Sequence, residues 1–187
     1  AIGYQPSEMW TGLLGADFPD NGDAEVAKQF VADAGEPMPE LTFDYPKTET
    51  NDKAAGAVVS ALAAADIEIT PNPIDAGGYY GIVMDPKKAG SLISGGWGPD
   101  WLNASTVIPE LFTPSGGFNL SLWDNEEFNT ASDEAKLIAD REAQGQAWAD
   151  LNKQAMSDVL VVPTRFGKMQ GLVGSKVGNA YPWAPYG

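Results

Sequence analysis

A chain of 187 residues, 43% hydrophobic and 10% aromatic, is long enough to bury a core and too apolar to stay disordered. Its 26 acidic against 11 basic residues give a formal charge of −15, which repels phosphate backbones and anionic lipid heads and argues against nucleic acid or membrane-surface partners. Neither cysteine nor histidine occurs, which excludes disulfides, thiol catalysis, histidine-based triads and histidine-ligated zinc or copper.

Residues 1–22 are rich in Gly, Pro and Asp without a clean period and read as an irregular lead-in. Asp17, Asp20 and Asp23 hint at calcium, but the twelve-residue loop with its terminal Glu is missing. From Asp23 the spacing of Val26, Phe30 and Val31 predicts a helix, which Gly35 stops and Pro37 and Pro39 keep from continuing. Leu41 to Tyr45 alternates as a strand. Thr50 or Asn51 then caps a second helix carrying Ala55, Val58, Val59 and Leu62 on one face, and Ile67 to Thr70 reads as the next strand. Strand, helix and strand in that order predict a crossover in a parallel sheet. The small-apolar run Ala54–Ala65 is too short to span a bilayer.

Tyr79 to Met84 follows as a short helix ended by Asp85-Pro86, then Ser91 to Ser94 as a short buried strand. A helix is expected from Ser105 to Phe112, a Pro/Gly loop at 114–117 and another helix from Glu126 to Lys136. A longer helix from Asp140 to Asp158 turns Trp148, Leu151 and Ala155 inward. Val159 to Val162 is expected to be a strand that Thr164 to Val173 extends or pairs, and the last dozen residues trail away from the core.

The segment carrying most chemistry is Gly95-Gly96-Trp97-Gly98-Pro99-Asp100-Trp101. In open α/β sheets ligands sit beyond the carboxyl ends of the strands, and glycines there allow close approach. Trp97 offers a flat apolar wall and Asp100 a carboxylate three residues on, a pair suited to a ligand bearing an ammonium group. The plain alternative is an ordinary loop in which Trp97 caps the core and Asp100 caps the following helix. Asp124, Glu126 and Glu127 form an acidic cluster that would suit a glycosidase or, equally, the positive end of a helix.

The Gly-Trp-x-x-Asp element resembles that of the family 5 extracellular solute-binding proteins, which include the oligopeptide-, dipeptide- and nickel-binding proteins. Other pieces agree in order. They are the short helix Asp23–Gly35, the run Asn119, Trp123, Asn125, Phe128 and Asn129, the late helix with Trp148 and Leu151, and Val161-Val162-Pro163. The stretch from Trp97 to Phe112 is most similar to actinobacterial members.

The resemblance covers residues 23–175, with 1–22 as a lead-in from the other lobe or hinge and 176–187 as a segment returning towards it. It implies a periplasmic-binding-protein-like (class II) α/β lobe with a mixed, mostly parallel sheet flanked by helices. This would be the C-terminal lobe of a longer exported protein, periplasmic or lipid-anchored at the cell surface. It implies capture of a small peptide or similar solute between two lobes for an ABC permease, as a monomer, without catalysis, cofactor or metal. By position, Asp100 would hold a peptide's N-terminal ammonium, Trp97 would line the cleft, and Tyr79 (or Tyr80) would supply an aromatic from the short helix. Asn119 and Phe166 stand near further cleft positions. Downstream of Asp100 the family's Asp-Pro is replaced by Trp101-Leu102-Asn103-Ala104, which bears on ligand class. A carboxylate-dependent glycosidase domain, a carbohydrate-binding module built on the six tryptophans, and a structural domain without ligand remain as rivals.

Overall fold

The structure, a computed structural model, describes residues 22–164 and 172–180. These fall into two compact units that divide between Gly96 and Trp97.

The first unit opens with α1 (Ala24–Ala34). The Asp23 carboxylate accepts from the Glu25 and Val26 amides, and Gly35 ends the helix in the left-handed region at φ 68°. Start and stop are those the sequence predicts. Strand β1 (Leu41–Pro46), helix α2 (Glu49–Ala64) and strand β2 (Ile69–Ile74) follow, with the strands parallel from Leu41 opposite Ile69 to Pro46 opposite Ile74. The N-cap of α2 is Thr48, whose hydroxyl accepts from the Asn51 amide, rather than Thr50 or Asn51. The helix ends in a Schellman turn: the amides of Asp66 (φ 58°) and Ile67 return to the Ala63 and Leu62 carbonyls. That turn consumes Ile67, so β2 begins two residues later than its sequence suggests.

Strand β2 carries Pro71 and Pro73, which would break a central strand. The order β2-β1-β3 places it at an edge. The Lys47 amide donates to the Ile74 carbonyl, so Ile74 and its alternates Asn72 and Thr70 face β1. The two prolines then face outward, where their missing N–H groups cost the ladder nothing.

Helix α3 (Tyr79–Val83) precedes β3 (Leu92–Ile93), which pairs parallel to the other side of β1. All the described strands are parallel. Only two residues of the predicted strand 91–94 pair, and Leu92 is exposed rather than buried. A strand that short needs help from side chains. Asp44 on β1, 1% exposed, accepts from the Gly90 amide at 2.6 Å and from the Asn72 side-chain amide at 2.8 Å. It thereby ties β1 to both neighbours. A Cβ at Gly90 would lie 2.5 Å from Thr42 Oγ1 and 2.8 Å from Asp44 Oδ1, which leaves room only for glycine. The unit's apolar core is Ile74, Tyr79 and Val83 with Ile82 and Ile93 against it.

The second unit is helical among its described residues. It comprises a 3-10 turn (Ala104–Thr106), α4 (Ile108–Phe112), α5 (Glu126–Leu137) and α6 (Arg141–Ser157). The single helix expected from Ser105 to Phe112 is split because Pro109 cannot donate a backbone bond and its ring opposes the carbonyl four residues back. Asn125 and Asp140 cap α5 and α6 by accepting from the Phe128 and Ala143 amides. Ile108, Phe112, Phe128, Ala135, Trp148, Leu151, Ala155 and Met156 form the core, with Trp148, Leu151 and Ala155 inward as their period predicts.

The strand expected at 159–162 is not formed. A Schellman turn ends α6, with the amides of Val159 and Leu160 returning to the Met156 and Ala155 carbonyls. Val159 takes φ 54° to close it, an unfavourable conformation for a β-branched residue. Amides spent on the helix end are not there to build a ladder. Most of the candidate continuation, Thr164–Val173, lies outside the described residues.

Candidate functional site

The Gly-Trp-x-x-Asp element opens the second unit, and one buried residue organises it. Thr106, 1% exposed at the end of the 3-10 turn, accepts at its carbonyl from Trp97 Nε1 at 2.7 Å. Its hydroxyl accepts from the Asp100 amide at 3.0 Å and donates to Asp100 Oδ2 at 3.1 Å. Indole and carboxylate are thus both bonded to the same residue. The indole also stacks, tilted by 40°, against Phe118 at 5.2 Å between ring centroids. It remains 38% exposed, and Asp100 is exposed.

The turn that holds them is itself braced. The Asn103 side chain caps it by accepting from the Ser105 amide, and its Nδ2 donates to Gln144 on α6. Gln144 in turn donates to the Ala135 and Ile138 carbonyls at the end of α5. Phe118 is held from its own side, since its amide donates to the Glu110 carbonyl while the Glu110 carboxylate accepts from Gly117. A Cβ at Gly116 would lie 2.4 Å from the Pro109 and Glu110 carbonyl oxygens, so this turn admits only glycine. A flat apolar face beside a pre-oriented carboxylate can hold a cation that carries an apolar portion.

The remaining candidates are placed differently. Asn119 is half-buried and spends its amide locally: its Nδ2 donates to the Trp123 carbonyl while its Oδ1 accepts from Ser121 and the Trp123 amide. It braces the loop after Phe118. Tyr79 belongs to the first unit and is 1% exposed, with its hydroxyl 2.7 Å from the Ser94 carbonyl and 3.0 Å from that of Asp44. The sequence expectation of a ligand-facing side chain at Tyr79 is therefore corrected, because a phenol sealed in the core cannot meet a solute. Tyr80, packed edge-on against it, is the exposed tyrosine of α3. Phe166 lies outside the described residues.

Thr106 and Phe118 are absent from the sequence-derived site. Their role needs the loop 97–118 to fold back on itself, and no short spacing rule announces that closure. The rival sites fare less well. Asp124 and Glu126 are both exposed at the start of α5, where negative charge favours the helix end, and Asp124 accepts from Asn129. A glycosidase needs two carboxylates facing each other about 5–9 Å apart across a cleft. Trp148 is in the core, as its helical period predicts, and so cannot join an exposed sugar-stacking face. Asp23 is a helix cap, Asp17 and Asp20 lie outside the described residues, and among the described residues no group of acids is placed to hold a metal. Nor is any described helix long and apolar enough to cross a membrane.

No family model matches the chain. It is 26% identical to the oligopeptide-binding protein AliB of Streptococcus pneumoniae over an alignment 219 positions long, gaps included, which takes in 93% of this chain and 33% of that protein. The chain thus spans about a third of the length of the curated relatives it matches. Among solved structures, the Escherichia coli murein tripeptide binding protein MppA superposes with a TM-score of 0.67 at 21% identity, over 75% of this chain and 28% of that one. Haemophilus influenzae OppA, solved in complex with the peptide RPPGFSPFR, gives 0.67 at 21% identity over 75% and 28%. CtaP of Listeria monocytogenes, an ABC transporter substrate binding protein, gives 0.68 at 15% identity over 86% and 37%. The named relatives are binding proteins. In sequence this chain is similar to about a third of an oligopeptide-binding protein, and in fold to part of solved peptide-binding proteins with the periplasmic-binding-protein-like α/β architecture.

Proposed function

We propose that the protein carrying this chain captures a peptide-like solute between two lobes, outside the cytoplasm, and presents it as a monomer to an ABC permease. The Asp100 carboxylate receives the solute's ammonium group through charge-assisted hydrogen bonds, and the Trp97 indole walls the adjoining apolar part. Neither cofactor nor metal takes part. One observation carries this reading: Thr106 fixes an exposed carboxylate and a partly exposed indole together at the glycine-rich element. The charge of −15 suits a cationic ligand group without naming the ligand.

The test is calorimetry on the full-length protein with pools of short peptides. Binding by the wild type is expected, with a loss of roughly tenfold or more in the Asp100→Ala variant, the worth of a hydrogen bond to a charged group. Absence of binding by every pool, or equal binding by Asp100→Ala, overturns the proposal. This chain alone is expected to bind weakly, since one lobe buries only part of a ligand's surface.

A further inference from the structure

We infer that Thr106 is the positioning residue that sets selectivity for a free amino terminus. The inference rests on the proposed role of Asp100. A carboxylate on an exposed turn ordinarily samples several rotamers, and a ligand that needs one of them must bear the cost of ordering it. Here that cost is met before binding. The Thr106 hydroxyl forms a two-point clasp with one residue, accepting from the Asp100 amide at 3.0 Å and donating to Asp100 Oδ2 at 3.1 Å. Backbone and side chain of Asp100 are both fixed with respect to a buried point.

The same residue holds the indole by a different atom, its carbonyl, which accepts from Trp97 Nε1 at 2.7 Å. The two functions are therefore separable by mutation. A side-chain change at Thr106 removes the hydroxyl's two bonds to Asp100 and leaves the carbonyl's bond to the indole. The support beneath is independent of the hydroxyl too, because Asn103 and Gln144 brace the turn through their own side chains. Thr106 touches no solute in this scheme and acts only through Asp100.

The experiment uses the full-length protein with two probes, a pool of short synthetic peptides with free amino termini and the same pool N-acetylated. Affinities are measured by calorimetry for the wild type, Thr106→Val and Thr106→Ser. Thr106→Val is expected to lower affinity for the free-amine pool about tenfold and to leave the acetylated pool unchanged. Thr106→Ser, which keeps the hydroxyl, is expected to restore the wild-type preference. Thr106→Ala drops the hydroxyl without added bulk and gives the same readout should the valine variant not fold. Retention of the free-amine preference in variants without the hydroxyl overturns the inference, as does equal weakening of both pools, which would mark a merely structural residue. A wild type that itself shows no preference for the free amine overturns the Asp100 reading instead, so the two failures are distinguishable.

Discussion

Two aspartates, one in each unit, show how differently the two halves of the chain use the same side chain. Asp44 is 1% exposed in the middle strand, and both of its oxygens are committed to sheet neighbours, Asn72 on one side and Gly90 on the other. Asp100 is exposed, and the hydroxyl of the buried Thr106 donates to one of its oxygens. The first carboxylate replaces strand length, since β3 pairs over only two residues and cannot hold its place by backbone bonds alone. The second is held in a chosen direction while still facing solvent. A buried, saturated carboxylate contributes to stability; for the exposed, oriented one we propose a ligand.

Substitution can break this contrast. The largest expected effect is at Asp44→Ala, which strands the Gly90 amide and the Asn72 side-chain amide and should destabilise the protein by about 3 kcal/mol in urea unfolding. A loss below about 1 kcal/mol would mean that water replaces the carboxylate and that Asp44 does not hold β3. Next is Tyr79→Phe, which removes the hydroxyl that meets the Asp44 and Ser94 carbonyls and should cost about 1 kcal/mol.

Tyr79 also makes a pH prediction. Burial first, and then the negative charge of Asp44, hold its phenol above the ordinary tyrosine range. A group whose pKa is raised by folding contributes stability that is complete below its unfolded value and is lost as pH climbs past it. Unfolding measured across the alkaline range should therefore show stability falling above about pH 10, the unperturbed tyrosine value, and Tyr79→Phe should lessen the fall. An unchanged alkaline profile in the variant would assign the loss to other groups.

The smallest effect sharpens the comparison from the other side. Asp100→Asn should change unfolding stability by about 1 kcal/mol or less, because the side chain is exposed and the Thr106 hydroxyl keeps the residue's amide as a partner. A destabilisation as large as that of Asp44→Ala would make Asp100 a structural residue and weaken its assignment to a ligand.

Much of the scaffold was legible because its determinants are local. Asp23 and Gly35 delimit α1 by rules that act within one turn of helix, and the inward face of α6 follows from the spacing of Trp148, Leu151 and Ala155. Where sequence reading misjudged an element, a competing local bond was usually responsible. Helix-ending turns took the amides of Ile67 in one case and of Val159 and Leu160 in the other, delaying β2 and cancelling the strand at 159–162. The prolines of β2 hid its continuation from Pro71 to Ile74, which only its edge position makes possible.

The candidate site was half legible. Trp97 and Asp100 stand out by their spacing after two glycines, and adjacency along the chain is enough to pair them. The sequence by itself therefore determined the capped ends of α1, the parallel crossover, and the closeness along the chain of an indole and a carboxylate. Only the tertiary structure decided that Tyr79 is core while Tyr80 is exposed, that Asp44 holds a two-residue strand, and that Thr106 grips both halves of the element. The reason is physical. Caps and periodicity act through bonds between near neighbours, whereas burial and hydroxyl direction depend on which distant segments a fold brings into contact, and no local spacing encodes that.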